Sequence, residues 1–238
     1  MTGTPVTIPA GMLRDMLAAV LPHVGTEESL PQLEAVRFEV TAGVLYLVAT
    51  DRYSTGIARY RIPGAQVAPP ADQAALLWHP HAQELREKLA AHADARAVAL
   101  ILSDATVTVD HGETDSWKVA DEAGHYPEWR PMLRKLLTAE PVADAGEYAV
   151  DTRLFARFDT STTPFDPYGQ CPEDVGHVRI VHPEAVALLV TRSDWFIGAA
   201  MSCHRNPDTV GFTPPQWADW TALCAPVAAG PEPAAAAT

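Results

Sequence analysis

Cysteine is scarce in this chain. Cys171, Cys203 and Cys224 are the three in 238 residues, too few and too scattered for a disulfide framework or a zinc module with paired ligands. Basic residues are scarce too: 17 Lys and Arg stand against 30 Asp and Glu, a formal charge of -13. That balance argues against binding nucleic acid through bulk electrostatics, while leaving room for a local basic face. No apolar run is long enough to span a bilayer, and the opening MTGTPVTIPA has neither the basic region nor the apolar core of a signal peptide. A cytoplasmic protein with reduced thiols and no membrane contact is the expectation. Glycine-rich phosphate loops, nucleophile elbows and metal signatures are also missing. The pairs His79 with His81 and Cys203 with His204 lack the spacing of a recurring metal motif, so no metal or other cofactor is expected.

What the chain has is an ordinary globular complement of apolar residues, 47%, and length for one large domain or a domain and a fragment. Its organising stretch is VLYLVATDRYSTGIARY, residues 44–60. Val44 to Ala49 is apolar on both faces, a strand buried on both or covered by a helix on one. Thr50 and Asp51 are turn residues whose side chains bond back to local amides, and residues 56–62 return with Arg59 and Arg61 on one face. The pattern is a hairpin with a polar tip.

Around it the chain repeats itself. Thr7 and Ile8 suggest a first strand, and Leu13, Met16, Leu17, Val20 and Leu21 recur at helical spacing over residues 10–23, giving a helix with one buried face that Pro22 and Gly25 end. The alternation of Val36, Phe38 and Val40 with Arg37 and Glu39 gives another strand before the hairpin. After a Pro-rich connection, residues 75–78 read as a strand, Pro80 opens a helix that buries Ala82, Leu85, Leu89 and Ala93, and residues 98–102, 106–110 and 116–119 supply three strands. The segment GHYPEWRPML, residues 124–133, is too rich in proline and aromatics for a helix interior or a central strand and reads as a packed connector, with a linker over 134–146. A third unit follows: a strand at 147–150, a short helix capped by Asp151 with Leu154, Phe155 and Phe158 inward, a long loop over 160–176, and strands at 178–181, 185–191 and 195–200. Residues 207–238 are Pro- and Ala-rich and read as a disordered tail. Three strand–helix–three-strand units with a period near sixty residues form an internal repeat in an α+β protein.

Three stretches resemble one family. VATDRYSTG after LPQLEAVRFEV, the connector GHYPEWRPML, and FIGAAMSCHR at residues 196–205 are similar to the VATDGHRL-like turn, the GEYPDYRRL-like closing segment and the YLLMPVRL-like C-terminus of the bacterial replicative sliding clamp, the beta subunit of DNA polymerase III. The resemblance implies a clamp fold in which two units make one domain, residues 1–136 with half units 5–66 and 74–133, followed by a half domain over 145–206. It covers about residues 5–206 and matches only part of a family that has three domains.

It also implies sites. The family's groove for peptides from polymerases and clamp loaders, carried over by position, comprises Thr50, Arg52, Tyr53 and Thr55, then Pro127, Pro131 and Met132, then Ala199 and Met201. This chain departs from the pattern at Thr55, Pro131 and Ala199, where the family prefers Leu, Arg and a larger aliphatic, and Ser202 replaces the proline after Met201. The helices that would face double-stranded DNA offer Arg14, Arg86, Lys88, Arg153 and Arg157. Acidic neighbours leave those helices close to neutral, so DNA contact and plain surface charge both remain open. In the tail, QWADWTAL with Trp217 and Trp220 resembles the Gln-led, aromatic-ended peptides that bind clamps.

Three functions are then in play. The first is a homo-oligomeric processivity factor that tethers a polymerase to DNA during replication. The second is a non-catalytic interaction protein that keeps the peptide groove without encircling DNA. The third is an enzyme using some of Asp51, His125, Ser202, Cys203 and His204, for which no motif supplies an organising frame; no enzyme is expected.

Overall fold

Strand β1 (Val6–Pro9) does not pair with the strands that follow it in its own unit. It pairs antiparallel with β6 (Ala97–Leu102), placing Val6 opposite Leu100 and Ile8 opposite Val98. In exchange β5 (Gln73–Trp78), the first strand of the second unit, pairs with β2 (Ala35–Thr41) of the first, with Phe38 opposite Ala75. The reciprocal exchange of first strands makes two units into one domain, because each sheet needs a strand from the other half.

The computed structural model describes residues 4–27, 29–64, 72–119, 126–139, 152–158, 177–181, 187–192 and 195–201. One sheet runs β1-β6-β7-β8, completed by β7 (Thr106–Asp110) and β8 (Thr114–Lys118). The other has seven strands in the order β5-β2-β3-β4-β11-β10-β9. It contains β3 (Val44–Thr50), β4 (Ser54–Arg61), β9 (His177–Val181), β10 (Ala187–Arg192) and β11 (Phe196–Met201). The third unit thus anneals its last strand onto the returning strand of the hairpin, and the ladder runs antiparallel from Phe196 opposite Ala58 to Ala200 opposite Ser54. Helices and antiparallel sheets together make the α+β class expected from the sequence.

One core joins the two sheets and the two longer helices of the repeat. Phe38, Leu45 and Leu47 from the seven-stranded sheet, Leu100 and Val109 from the other, and Leu85 and Leu89 of α2 (His79–Ala90) are all fully buried in it. Helix α1 (Ala10–Val20) packs against α2 and β4. The spacing of its leucines predicts one buried face. The structure buries all of it except Arg14 and Ala18, because its flanks carry Ala10, Gly11, Met12 and Ala19, small or apolar residues that neighbouring elements cover. A 3-10 turn at Leu21–His23, and not a further helical turn, ends it. Ala93, expected to be buried, is exposed beyond the end of α2.

The connector differs most. It is a helix, α3 (Trp129–Thr138), which continues through residues expected to be a linker. Pro131 is its third residue, where the missing amide hydrogen has no intrahelical partner to lose. Trp129, Leu133 and Leu136, at i, i+4 and i+7, form the stripe that packs onto the face of the seven-stranded sheet away from the main core, against Val48, Ile57, Ile197 and Leu189. Each large side chain removed from water there contributes about 1.5–3 kcal/mol, enough to override the poor helix propensity of a segment with proline and tryptophan. In α4 (Thr152–Ala156) Phe155 is exposed, contrary to expectation, while Phe158, just past the helix, is buried among core residues. The strand expected at 147–150, the loop at 160–176 and the tail with Trp217 and Trp220 lie outside the described residues. No helix among the described residues is long and apolar enough to cross a membrane.

Candidate functional site

The hairpin tip is built by its own side chains. Asp51 Oδ1 accepts the backbone N–H of Tyr53 at 3.0 Å and of Ser54 at 2.7 Å, and Thr50 Oγ1 donates to the Ser54 carbonyl at 2.8 Å while accepting from Thr55 Oγ1 at 2.9 Å. Thr50 and Thr55 are therefore buried with their hydroxyls engaged, and they set the turn. Arg52 adopts φ 77°, a left-handed conformation that a side chain disfavours; glycine occupies this place in the VATDGHRL-like text. Its side chain reaches Glu27 at 3.1 Å.

Behind the turn lies a buried charge network. Arg157 ion-pairs with Asp51 and donates to Ser54 Oγ at 2.7 Å, and His23 Nδ1 lies 3.1 Å from the same hydroxyl. Burial works against ionisation of Asp51, but hydrogen bonds from Arg157 and from the Ser54 and Tyr53 amides outweigh it and hold its carboxyl below the usual carboxylate range. Burial, helped by the charge of Arg157, pushes His23 down to about 3. Phe158 stacks on the His23 ring with centroids 4.8 Å apart. The network ties the third unit to the hairpin. Of the other residues considered for catalysis, His125, Ser202, Cys203 and His204 lie outside the described residues. Among the described residues no group of three or more His, Cys, Asp or Glu converges as metal ligands would.

The register arranges the outer face of the joint in rungs. Across β3, β4, β11 and β10, Thr50, Thr55, Ala199 and Leu189 form the rung nearest the tip, and Val48, Ile57, Ile197 and Thr191 the next. Tyr46 and Arg59 continue beyond, where the Arg59 N–H donates to the Trp195 carbonyl at 2.7 Å. Helix α3 lies over the second rung. Tyr126, just before it, donates its hydroxyl to the Val48 carbonyl at 2.9 Å, and burial holds its phenol well above the ordinary tyrosine range.

The carried-over groove residues divide accordingly. Tyr53 and Met201 are 54% and 43% exposed and adjacent, since the Met201 N–H donates to the Tyr53 carbonyl at 2.8 Å. Ala199 packs with Leu136 and Leu189 under the end of α3. Met132 is exposed on the flank of α3 that also carries Ala139, which packs in the same cluster. Pro127 and Pro131 are exposed at the start of that segment. The hairpin and the third unit's last strand thus meet at the tip rung, with Thr50 and Thr55 beside Ala199, and the end of α3 packs there through Leu136 and Ala139.

Sequence reasoning missed the opposite side of α3, where a groove of about 600 Å³ opens over the Tyr46–Arg59 rung, lined by Trp129, Arg130, Arg134, Leu137, Trp195 and Phe196 among others. The signal was the spacing of Trp129, Leu133, Leu136 and Leu137, which Pro131 obscured.

The residues proposed to face DNA are mostly occupied. Arg14 contacts Asp94 at 2.6 Å and Asp15 at 3.0 Å, Lys88 contacts Asp115 at 2.6 Å and Glu84 at 3.3 Å, and Arg157 pairs with Asp51. The hydrogen bond that Lys88 donates to Asp115 raises its ammonium above the ordinary value. Arg153 is exposed on α4 and Arg86 half-buried on α2.

A domain made by exchange of first strands, with a third unit annealed through its last strand, defines a class of architecture that solved structures share. Matched with probability 1.00, the sliding clamp of Bacillus subtilis has a TM-score of 0.61 at 11% identity over 85% of this chain and 64% of its own. A DNA polymerase III beta subunit structure from Eubacterium rectale gives 0.63 at 10% identity over 84% and 66%, and the Pseudomonas aeruginosa sliding clamp 0.61 at 14% over 85% and 68%. No family model matches the chain, and no curated protein matches it in sequence. The chain has the sliding-clamp fold, its structural neighbours are DNA polymerase III beta subunits, and it spans about two thirds of their length.

Proposed function

We propose that the protein is a non-catalytic, sliding-clamp-like processivity factor, a homo-oligomer of clamp domain (1–136) and half domain (145–206) units that tethers a DNA polymerase to double-stranded DNA. Peptides from the polymerase or a clamp loader dock on the tip rung. The reading rests on one observation above the others: the joint of β4 and β11 brings exposed Tyr53 and Met201 together beside Ala199, on the side of α3 that carries Met132. An apolar strip with aligned backbone at a sheet joint suits a short peptide with one or two hydrophobic anchors.

The test is retention on a closed DNA circle. The protein, mixed with a primed circular template and its polymerase, is expected to form an oligomer that stays on the circle, leaves when the circle is linearised, and lengthens extension products. A stable monomer that ignores the circle but still binds polymerase peptides would replace this reading with that of an interaction protein.

A further inference from the structure

The groove on the Arg59 side of α3 is lined by none of the residues that the family resemblance assigns to the peptide groove. It exists because α3 continues to Thr138, and its wall combines apolar surface with cationic groups: Arg130 and Arg134 stand around Tyr46, Leu137 and Trp195. Two nitrogens in these residues are buried without a hydrogen-bond partner among the described residues, Arg130 Nη2 and Trp195 Nε1. The rest of Arg130 is well held. Its Nη1 contacts Glu39 at 2.5 Å and its guanidinium lies 4.2 Å from the Trp129 ring centroid, so Nη2 is fixed in place while unsatisfied. A buried N–H without an acceptor is costly, and a ligand that brings one recovers that cost. Leu137, a large apolar side chain 48% exposed on the groove's edge, points to a second kind of contact.

From these features we infer that the groove is a second docking site, for a peptide segment of another protein that carries an acidic side chain next to an aromatic or aliphatic one. The carboxylate takes the Arg130 Nη2 and Arg134 donors, a geometry in which arginine gives charge-assisted bonds. The apolar neighbour covers Leu137 and the half-buried Leu133, and a peptide carbonyl accepts from Trp195 Nε1. Charge complementarity selects this occupant over a basic segment. The site is separate from the tip rung, across the helix from Met132, and does not depend on the reading of that rung.

Fluorescence anisotropy with the full chain tests it, using a labelled Asp-Asp-Phe-Asp-Leu peptide and a Lys-Lys-Phe-Lys-Leu counterpart as probes. The acidic peptide is expected to bind at least about tenfold more tightly than the basic one. Arg134→Glu and Leu137→Asp, both at exposed positions and so compatible with folding, are each expected to weaken it about tenfold. Tyr53→Ala with Met201→Ala is expected to leave it unchanged. Absence of binding at millimolar peptide, equal binding of the two peptides, or indifference to both groove variants would overturn the inference. So would loss of binding in the Tyr53 and Met201 variant, which would assign the peptide to the tip rung, or a concentration-dependent dimer abolished by Leu137→Asp, which would assign the groove to a second copy.

Discussion

Gly56 and Gly198 face each other across the β4–β11 ladder, and each leaves room for a ring on the core side: a Cβ at Gly56 would run into His23, and one at Gly198 into Phe158. The third unit is therefore held by more than strand pairing. Two aromatic rings stack over a pair of positions with no side chain, and one of the rings belongs to the residue after Arg157, which binds the hairpin tip. Gly198→Ala is expected to lower stability by about 1–3 kcal/mol, as overpacking of a core does, read as a lower midpoint of denaturant unfolding. An unchanged midpoint would mean that Phe158 is not seated there in solution.

Arg52 should behave in the opposite sense. Its left-handed backbone costs about 1 kcal/mol that glycine does not pay, and the ion pair with Glu27 is exposed and contributes little. Arg52→Gly is expected to raise stability by about 0.5–1 kcal/mol in the same unfolding measurement.

Acid should loosen the joint. His23 titrates near 3 when folded, below its ordinary 6.5, so the unfolded chain binds a proton that the native one refuses. Its contribution is complete above pH 6.5 and is lost as pH falls towards 3, about 2 kcal/mol being lost by pH 5. Asp51, also depressed, adds a loss of the same sign at lower pH. Unfolding free energies at pH 7 and pH 5 check this, and His23→Gln is expected to flatten the difference.

DNA affinity should depend weakly on salt. With Arg14, Lys88 and Arg157 in ion pairs, each chain releases few counterions, and the slope of log affinity against log salt is expected to be about 1–2 per chain. Asp94→Asn with Asp115→Asn removes one of the two carboxylates that hold each of Arg14 and Lys88 and is expected to steepen it. Filter binding or anisotropy over a range of salt reads both slopes.

How far the chain betrays its structure varies by element. The strands of the first two units, α2 and the Asp51 turn follow from alternation, helical spacing and local hydrogen bonding, all written within a few residues. Helix α3 was hidden because Pro131 and Trp129 suggest a breaker until the sheet beneath them is known. Arg14 and Lys88 looked available for phosphate because their partners Asp94 and Asp115 lie across a helix packing or on a strand of another element. The exposure of Tyr53 beside Met201 depends on strand pairing between residues nearly 150 apart, which resemblance suggests and spacing alone does not.

The central claim is that the tip rung binds clamp-type peptides. Its most direct measurement is calorimetric titration of the full chain with a Gln-led, aromatic-ended peptide from a polymerase. The account predicts saturable one-to-one binding, weakened at least about tenfold by Tyr53→Ala with Met201→Ala and unaffected by Leu137→Asp. No binding, or binding indifferent to Tyr53 and Met201, would contradict it.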